Sequence, residues 1–411
     1  MLKHITLVNY IMEEIRIAAI GNVDSAKSTT ISVIANNCLD DGKGSARSLI
    51  LKHPHEKTSG RTSSITQHYI KTDDTIIGFV DLAGHEKYLK TTISGLNGYF
   101  IDYAMVTVGV DRGIIGMTKE HLAIALALKI PIFIVITKID IAMARKLENI
   151  ENRLASIFKL PVAGRKLLEF VDDSNIDKLI SDYSADYKRI PVFKVSNTKG
   201  TNIENLRKFV RKLKPNPHMD FGDIDGDKST FVIDDRFRIK GIGIVVSGIV
   251  REGAFNKEHI CYIGPFSGKF KKVAIKSIHD NFQQFTNKLD SGQGGCLNIK
   301  LLDKKETLSF DDIKKGHIIT DKPTSYMKFK ADVQILHHPT TIKVNYQPTI
   351  HCGTVRQCAK ITYMDKPLVR TGDSALVSFE FMYKPEYIEV GQEIVFREGR
   401  TKGIGTIKEI V

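Results

Sequence analysis

The densest chemistry in the chain lies in Gly21-Asn22-Val23-Asp24-Ser25-Ala26-Lys27-Ser28-Thr29. A loop of this composition between a strand and a helix can turn its backbone N–H groups toward a polyanion. Lys27 would neutralise phosphate oxygens, and the Ser28 hydroxyl would reach a divalent cation such as Mg²⁺. Taken alone, the same residues could form a plain strand-to-helix turn. A second group, Asp81-Leu82-Ala83-Gly84-His85, offers a carboxylate that could hold Mg²⁺ through water. Its Gly84 can donate a backbone N–H to a terminal phosphate because no side chain intervenes. In the third, Thr137-Lys138-Ile139-Asp140, the Asp140 carboxylate can accept two hydrogen bonds from guanine, for which adenine has no matching donor pair. The Lys138 stem can cover the base, and Ser196 and Asn197 are candidates for a loop that closes over it through backbone N–H groups. Each group is common by itself. In this order, each just after a candidate strand, they converge on one ligand, a guanine nucleotide (GTP or GDP) with Mg²⁺.

The elements that must position these residues follow from the hydrophobic pattern. Short β-branched runs at 16–20, 76–80, 103–110 and 130–137 read as buried strands. Segments 28–37, 87–95 and 118–128 have helical spacing or composition, so strands and crossover helices alternate around a parallel sheet. A further strand at 191–195 precedes Ser196. This α/β phosphate-loop domain is expected to span 13–213. Pro215, Pro217 and the Asp/Gly-rich stretch 220–227 mark a linker over 214–229. Beyond it, short alternating strands punctuated by Gly241, Gly243, Gly248, Gly253 and Gly264 predict two small antiparallel β-barrels, 230–323 and 324–411.

Composition sets outer bounds. The 411 residues exceed the usual size of one domain, and 60 Lys and Arg against 47 Asp and Glu give a net charge of +13, which suits a polyanionic partner. Within 271–330, twelve lysines face seven acids, an arrangement that fits RNA phosphates or a solvated face. The five cysteines, Cys38, Cys261, Cys296, Cys352 and Cys358, are scattered without a CxxC pair, which argues against a disulfide framework. His351-Cys352 and Cys358 sit in a strand-like stretch and read as buried residues rather than metal ligands. No basic-then-apolar leader opens the sequence, and the apolar run 130–136 is too short to span a bilayer. A cytoplasmic, monomeric protein with no membrane partner is expected.

These motifs resemble the nucleotide domain of the translational GTPase superfamily of elongation factor Tu and elongation factor 1-alpha, in particular its GTP-binding-protein branch. The tract from Lys52 to Ser64 is similar to that branch's switch I, and Asp81 to Tyr88 (DLAGHEKY) to its second switch. Farther on, Phe237 to Gly248 looks like the opening of the superfamily's second domain, and Phe396 to Gly405 like part of its third. The resemblance implies hydrolysis of GTP to GDP and phosphate, coupled to a ribosome or tRNA. It implies that Thr62 ligates Mg²⁺, that His85 orients the attacking water, that Lys27 stabilises phosphoryl charge, and that Asp24 helps to bind a monovalent cation. Two departures stand out. Ala26 replaces the usual glycine, at a cost of about 1–2 kcal/mol if its backbone is left-handed. Ser277-Ile278-His279-Asp280 differs from the tract near the aminoacyl pocket, so delivery of aminoacyl-tRNA does not follow. Two alternatives stay open, a non-hydrolysing RNA or ribosome adaptor and the GTPase subunit of an ATP sulfurylase.

Overall fold

Apolar runs with no polar alternation demand burial on both faces, and β1 (Glu13–Gly21) meets that demand, with only its first residue exposed. In the computed structural model, which describes residues 12–51, 65–160, 163–185, 187–217, 228–398 and 401–411, β1 is central to a seven-stranded sheet. The other strands are β2 (Thr66–Lys71), β3 (Thr75–Asp81), β4 (Tyr103–Gly109), β5 (Ile132–Thr137), β6 (Leu167–Phe170) and β7 (Arg189–Lys194), in the order β2-β3-β1-β4-β5-β7-β6. All neighbours run parallel except β2, which pairs antiparallel with β3. β2 was not anticipated from the sequence. It is an edge strand joined to β3 by a tight turn, and its largely half-buried side chains give no strong apolar signal.

Helices cover both faces. α1 (Lys27–Ala35) follows β1, α2 (Ser45–Ser48) is a single turn, and α3 (Leu89–Gly98), α4 (Gly116–Ala127), α5 (Ala144–Phe158), α6 (Ile176–Ala185) and α7 (Ile203–Lys212) alternate with the later strands. On one face Ile17, Phe79, Phe133 and Phe193 pack against Ile31 of α1 and Phe209 of α7. On the other, Ile20, Val106 and Ile134 meet Leu122 of α4 and Leu154 and Phe158 of α5. The helix expected from residue 87 begins as a 3₁₀ turn, Glu86–Tyr88, before α3, because the His85 ring caps it by accepting the Lys87 N–H. Because these strands run parallel, the loops after β1, β3, β4, β5 and β7 leave from one edge of the sheet, where α/β folds bind ligands.

Two barrels follow. The first is built from β8 (Thr230–Ile239), β9 (Gly243–Glu252), β11 (Ile260–Phe266), β12 (Lys269–Asp280), β15 (Gly294–Leu301) and β16 (Ile318–Thr320), and the β11–β12 pairing closes it. Short strands β10 (Ala254–Asn256), β13 (Phe285–Thr286) and β14 (Lys288–Asp290) are appended to it. The second barrel comprises β17 (Lys328–His337), β18 (Thr349–Cys352), β19 (Val355–Met364), β20 (Ser374–Phe381), β21 (Glu393–Glu398) and β22 (Thr401–Ile410), closed in the order β17-β20-β19-β18-β21-β22. Each encloses its own apolar core, one around Phe231, Phe255 and Ile275, the other around Phe329, Phe379 and Phe396.

Polar contacts join the three units. Fully buried Arg16 donates to Glu14 at 2.7 Å and to the Gly292 carbonyl at 3.0 Å, while Glu14 also accepts from the Gly294 N–H at 2.8 Å. Glu389 of the second barrel receives Lys228 and Arg251. Glu120 on α4 pairs with Lys402 on β22. The lysines of 271–330 are dispersed over several strands, and some are paired within the chain: Lys288 with Asp290, Lys315 with Asp235 and Lys330 with Glu409. Among the described residues, no helix is long and apolar enough to cross a membrane, and no three His, Cys, Asp or Glu side chains are grouped to hold a metal.

Candidate nucleotide site

The loop Gly21 to Lys27 wraps back on itself at the C-terminal end of β1. Gly21 has φ +143° and lies so close to β4 that a Cβ would come within 2.4 Å of the Thr107 carbonyl oxygen. Asp24 and Ala26 both take left-handed backbone, with φ +62° and +64°. An aspartate tolerates this conformation better than alanine does. Ser25 is not directed outward: its hydroxyl bonds the Asn22 carbonyl at 2.9 Å and the Thr107 hydroxyl at 2.7 Å. Asn22 and Val23 are half-buried, as are Ala26, Ser28 and Thr29 at the start of α1. Lys27 is almost wholly buried and folds over the loop, donating to the carbonyls of Asn22 at 2.8 Å and Gly21 at 3.3 Å. Burial pushes its ammonium down to about 8, although Asp81 and Asp24 pull the other way.

β3 delivers the second group to the same place. The Ser28 hydroxyl donates to the Asp81 carboxylate at 2.5 Å, so two hard oxygen ligands converge where a phosphate loop holds its cation. This donor set fits Mg²⁺. Gly84 lies directly on the loop: an added Cβ would meet Lys27 Nζ at 2.5 Å and the backbone of Asn22 and Val23 at 2.7 Å. His85 is exposed, its Nδ1 accepting from the Lys87 N–H at 3.1 Å and its ring edge-on to Tyr88. Thr62 and the whole tract Lys52 to Ser64 lie outside the described residues.

The third group forms the other end of the site. Thr137 serves as a brace, its hydroxyl donating to the Ser25 carbonyl at 3.0 Å. Lys138 adopts φ +63° and donates to Asp111 at 2.8 Å, which holds its stem in place. Asp140 is exposed, one carboxylate oxygen accepting from the Ser196 hydroxyl at 2.7 Å and the other from Thr198 at 3.3 Å. Each oxygen keeps a lone pair for a guanine donor. The Ser196 side chain thus holds the Asp140 carboxylate. Asn197 turns inward, its amide donating to Thr30 on α1 at 3.0 Å, while its carbonyl accepts the Asp40 N–H.

Sequence motifs gave no hint of four supporting residues. Thr107 links Ser25 to the Ile20 carbonyl. Fully buried His121 on α4 accepts the Gly21 N–H on Nδ1 at 3.2 Å; burial, together with the nearby Lys27 charge, pushes its pKa down to about 3, so it stays a neutral acceptor. Thr198 and Asp111 steady the base-side loops. Of these, only Thr198 lies within two residues of a motif position.

A loop of phosphate-loop form, a hydroxyl and a carboxylate suited to a cation, and a carboxylate with two open lone pairs, carried on an α/β sheet that two barrels follow, define a domain of the translation-factor type. Residues 12–216 match the Elongation factor Tu GTP binding domain and residues 322–411 the Elongation factor Tu C-terminal domain. The chain belongs to the elongation factor Tu family of translational GTPases, in the branch of GTP-binding proteins 1 and 2. GTP-binding protein 1 of Xenopus laevis is 36% identical over 97% of this chain and 64% of its own length. GTP-binding protein 2 of Homo sapiens is 33% identical over 97% of this chain and 69% of its own length. The chain therefore spans about two thirds of these relatives. Among solved structures, translation elongation factor SelB from Methanococcus maripaludis in complex with the GTP analogue GppNHp superposes with a TM-score of 0.72 at 19% identity, covering 97% of this chain and 80% of that one, a likeness of fold.

Proposed function

We propose that the protein binds GTP and GDP with Mg²⁺ and hydrolyses GTP in response to a ribosome or tRNA. The observation that carries this reading is the convergence of Lys27, the Ser28–Asp81 pair and the Asp140 carboxylate along one sheet edge. The N–H groups of Gly21 to Thr29 cradle the phosphates, and Lys27 neutralises their oxygens. Ser28 and Asp81, with Thr62, hold the Mg²⁺, which offsets phosphate charge when bound. Gly84 senses the terminal phosphate through its backbone N–H. His85 orients water. Asp140 selects guanine, Lys138 covers it, and the loop of Ser196 and Asn197 closes the base side, with Thr137 bracing the loop beneath. A monovalent cation at Asp24 belongs to the same reading. So does the division into 13–213, a linker 214–229, and barrels 230–323 and 324–411, in a monomer acting in the cytoplasm.

GTP turnover measured with and without ribosomes tests this directly. Ribosome-stimulated release of phosphate is expected, and its loss in Asp81→Ala. A second reading, a non-hydrolysing RNA or ribosome adaptor, draws support from Ala26, whose left-handed backbone loads the phosphate loop with strain. Retained RNA or ribosome binding with no turnover under any condition favours that reading.

A further inference from the structure

The loop after β4 contains none of the motif residues, yet two consecutive side chains in it reach the two ends of the nucleotide site. Asp111 accepts from Lys138 on the base side at 2.8 Å. Arg112, next in the chain, brings its Nη2 to 3.9 Å from the Asp24 carboxylate on the phosphate loop. The backbone fixes this loop there. The N–H groups of Arg112 and Gly113 both donate to the Gly109 carbonyl, at 3.2 and 2.8 Å. Gly109 itself packs against the phosphate loop: a Cβ added to it would lie 3.5 Å from Ser25 Cα and 3.6 Å from the Asp24 carbonyl oxygen.

Charge explains what such a placement can do. Asp24 belongs to the phosphate loop itself, three residues before Lys27, which puts its carboxylate beside the phosphate cradle. An unbalanced carboxylate there would repel a polyphosphate. The Arg112 side chain is 61% exposed, and at this length its pairing with Asp24 is weak, so the guanidinium can exchange one anionic partner for another. A guanidinium keeps its charge at every physiological pH, and its planar fork matches phosphate oxygens.

From this juxtaposition we infer that Arg112 is a phosphate-binding residue of the nucleotide site, turning from Asp24 to the phosphate chain of a bound guanine nucleotide. The inference rests on the nucleotide reading proposed above and adds a cation drawn from the chain itself, beside the carboxylate at which a monovalent ion is otherwise expected. Arg112 and Asp111 then form a third wall, joining the phosphate side of the site to the base side.

Calorimetric titrations of the full chain and of Arg112→Ala with Mg²⁺-GDP and Mg²⁺-GppNHp test it, run in choline chloride so that no small monovalent cation compensates. Guanosine, which has no phosphate, is measured in parallel by competition. Arg112→Ala is expected to weaken both nucleotides by about tenfold, the size of one charge-assisted contact, to leave guanosine unchanged, and not to be rescued by Asp24→Asn. Unchanged nucleotide affinity would overturn the inference. So would an equal loss for guanosine, which indicates a damaged fold, or full rescue by Asp24→Asn, which indicates that Arg112 only neutralises that carboxylate. Absence of nucleotide binding by the natural chain would instead overturn the reading of the site itself.

Discussion

Ala26 is the N-cap of α1 at φ +64° and ψ +28°, and its side chain makes no capping bond there. Replacing it by glycine removes a Cβ from a conformation that costs an L-residue roughly 1–2 kcal/mol. Glycine returns about 0.4–1 kcal/mol of that by widening the unfolded ensemble. The net gain is then about 0.5–1 kcal/mol. The Thr30 N–H keeps its 2.8 Å bond to the carbonyl of residue 26, since only the side chain changes. For a unit of about 200 residues this gain raises Tm by roughly 2 °C. Differential scanning calorimetry of the natural chain, Ala26→Gly and Ala26→Val reads it, with the β-branched variant expected to fall below the natural chain because it suffers more at positive φ. An Ala26→Gly variant that melts at or below the natural temperature, with Ala26→Val unaffected, would refute the strain assigned to this residue.

Three other outcomes follow from the same geometry. Asp140→Asn replaces one acceptor by a donor facing the guanine N–H groups; GDP affinity should fall by about 100-fold, from one charge-assisted bond lost and the other left without its charge, while xanthosine diphosphate, with a carbonyl at that edge, should gain, as calorimetry with both nucleotides would show. Gly84→Ala places a Cβ 2.7 Å from the backbone of Asn22 and Val23, which cannot move aside as a side chain can. GppNHp binding should weaken by about tenfold or more relative to GDP, as expected for a lost charge-assisted hydrogen bond. Lys27, with a folded pKa lowered to about 8, sheds its proton as pH rises through that value, whereas an unfolded lysine keeps its own to about 10.5. In the protein alone, the burial penalty on the charged form therefore shrinks and stability rises between those values. On the proposed reading the ammonium is what meets the phosphates, so GDP affinity should decline from pH 7.5 to 9 in the natural chain. In Lys27→Arg, whose charge persists, titrations over that range should show a flatter profile.

What could be read in the sequence was local. Gly21 to Thr29, Asp81 to His85 and Thr137 to Asp140 each sit within a few residues of a strand end, so composition and order suffice to locate them. Both barrels were visible as glycine-punctuated short strands. Contacts across the sheet edge left no such trace: Thr107 meets Ser25 from 82 residues away, and His121 meets Gly21 from 100. The same holds for Arg112, whose neighbours are ordinary turn residues and whose partner Asp24 belongs to another loop. The side-chain partners of Ser196 and Asn197 could not be read from the sequence, because the direction of a turn side chain depends on what the fold sets opposite it. Here that is Asp140 for one and Thr30 for the other. β2 escaped notice because an edge strand half-open to its surroundings lacks the continuous apolar run that marks β1 and β5.

On the proposed reading, one sheet edge selects a guanine nucleotide and its Mg²⁺. Calorimetric titration of the natural chain with GDP and with ADP, each with and without Mg²⁺, tests it most directly. Saturable binding of GDP that strengthens with Mg²⁺, alongside no measurable binding of ADP, is the expected result; equal affinity for the two nucleotides, or no heat from either, would contradict it.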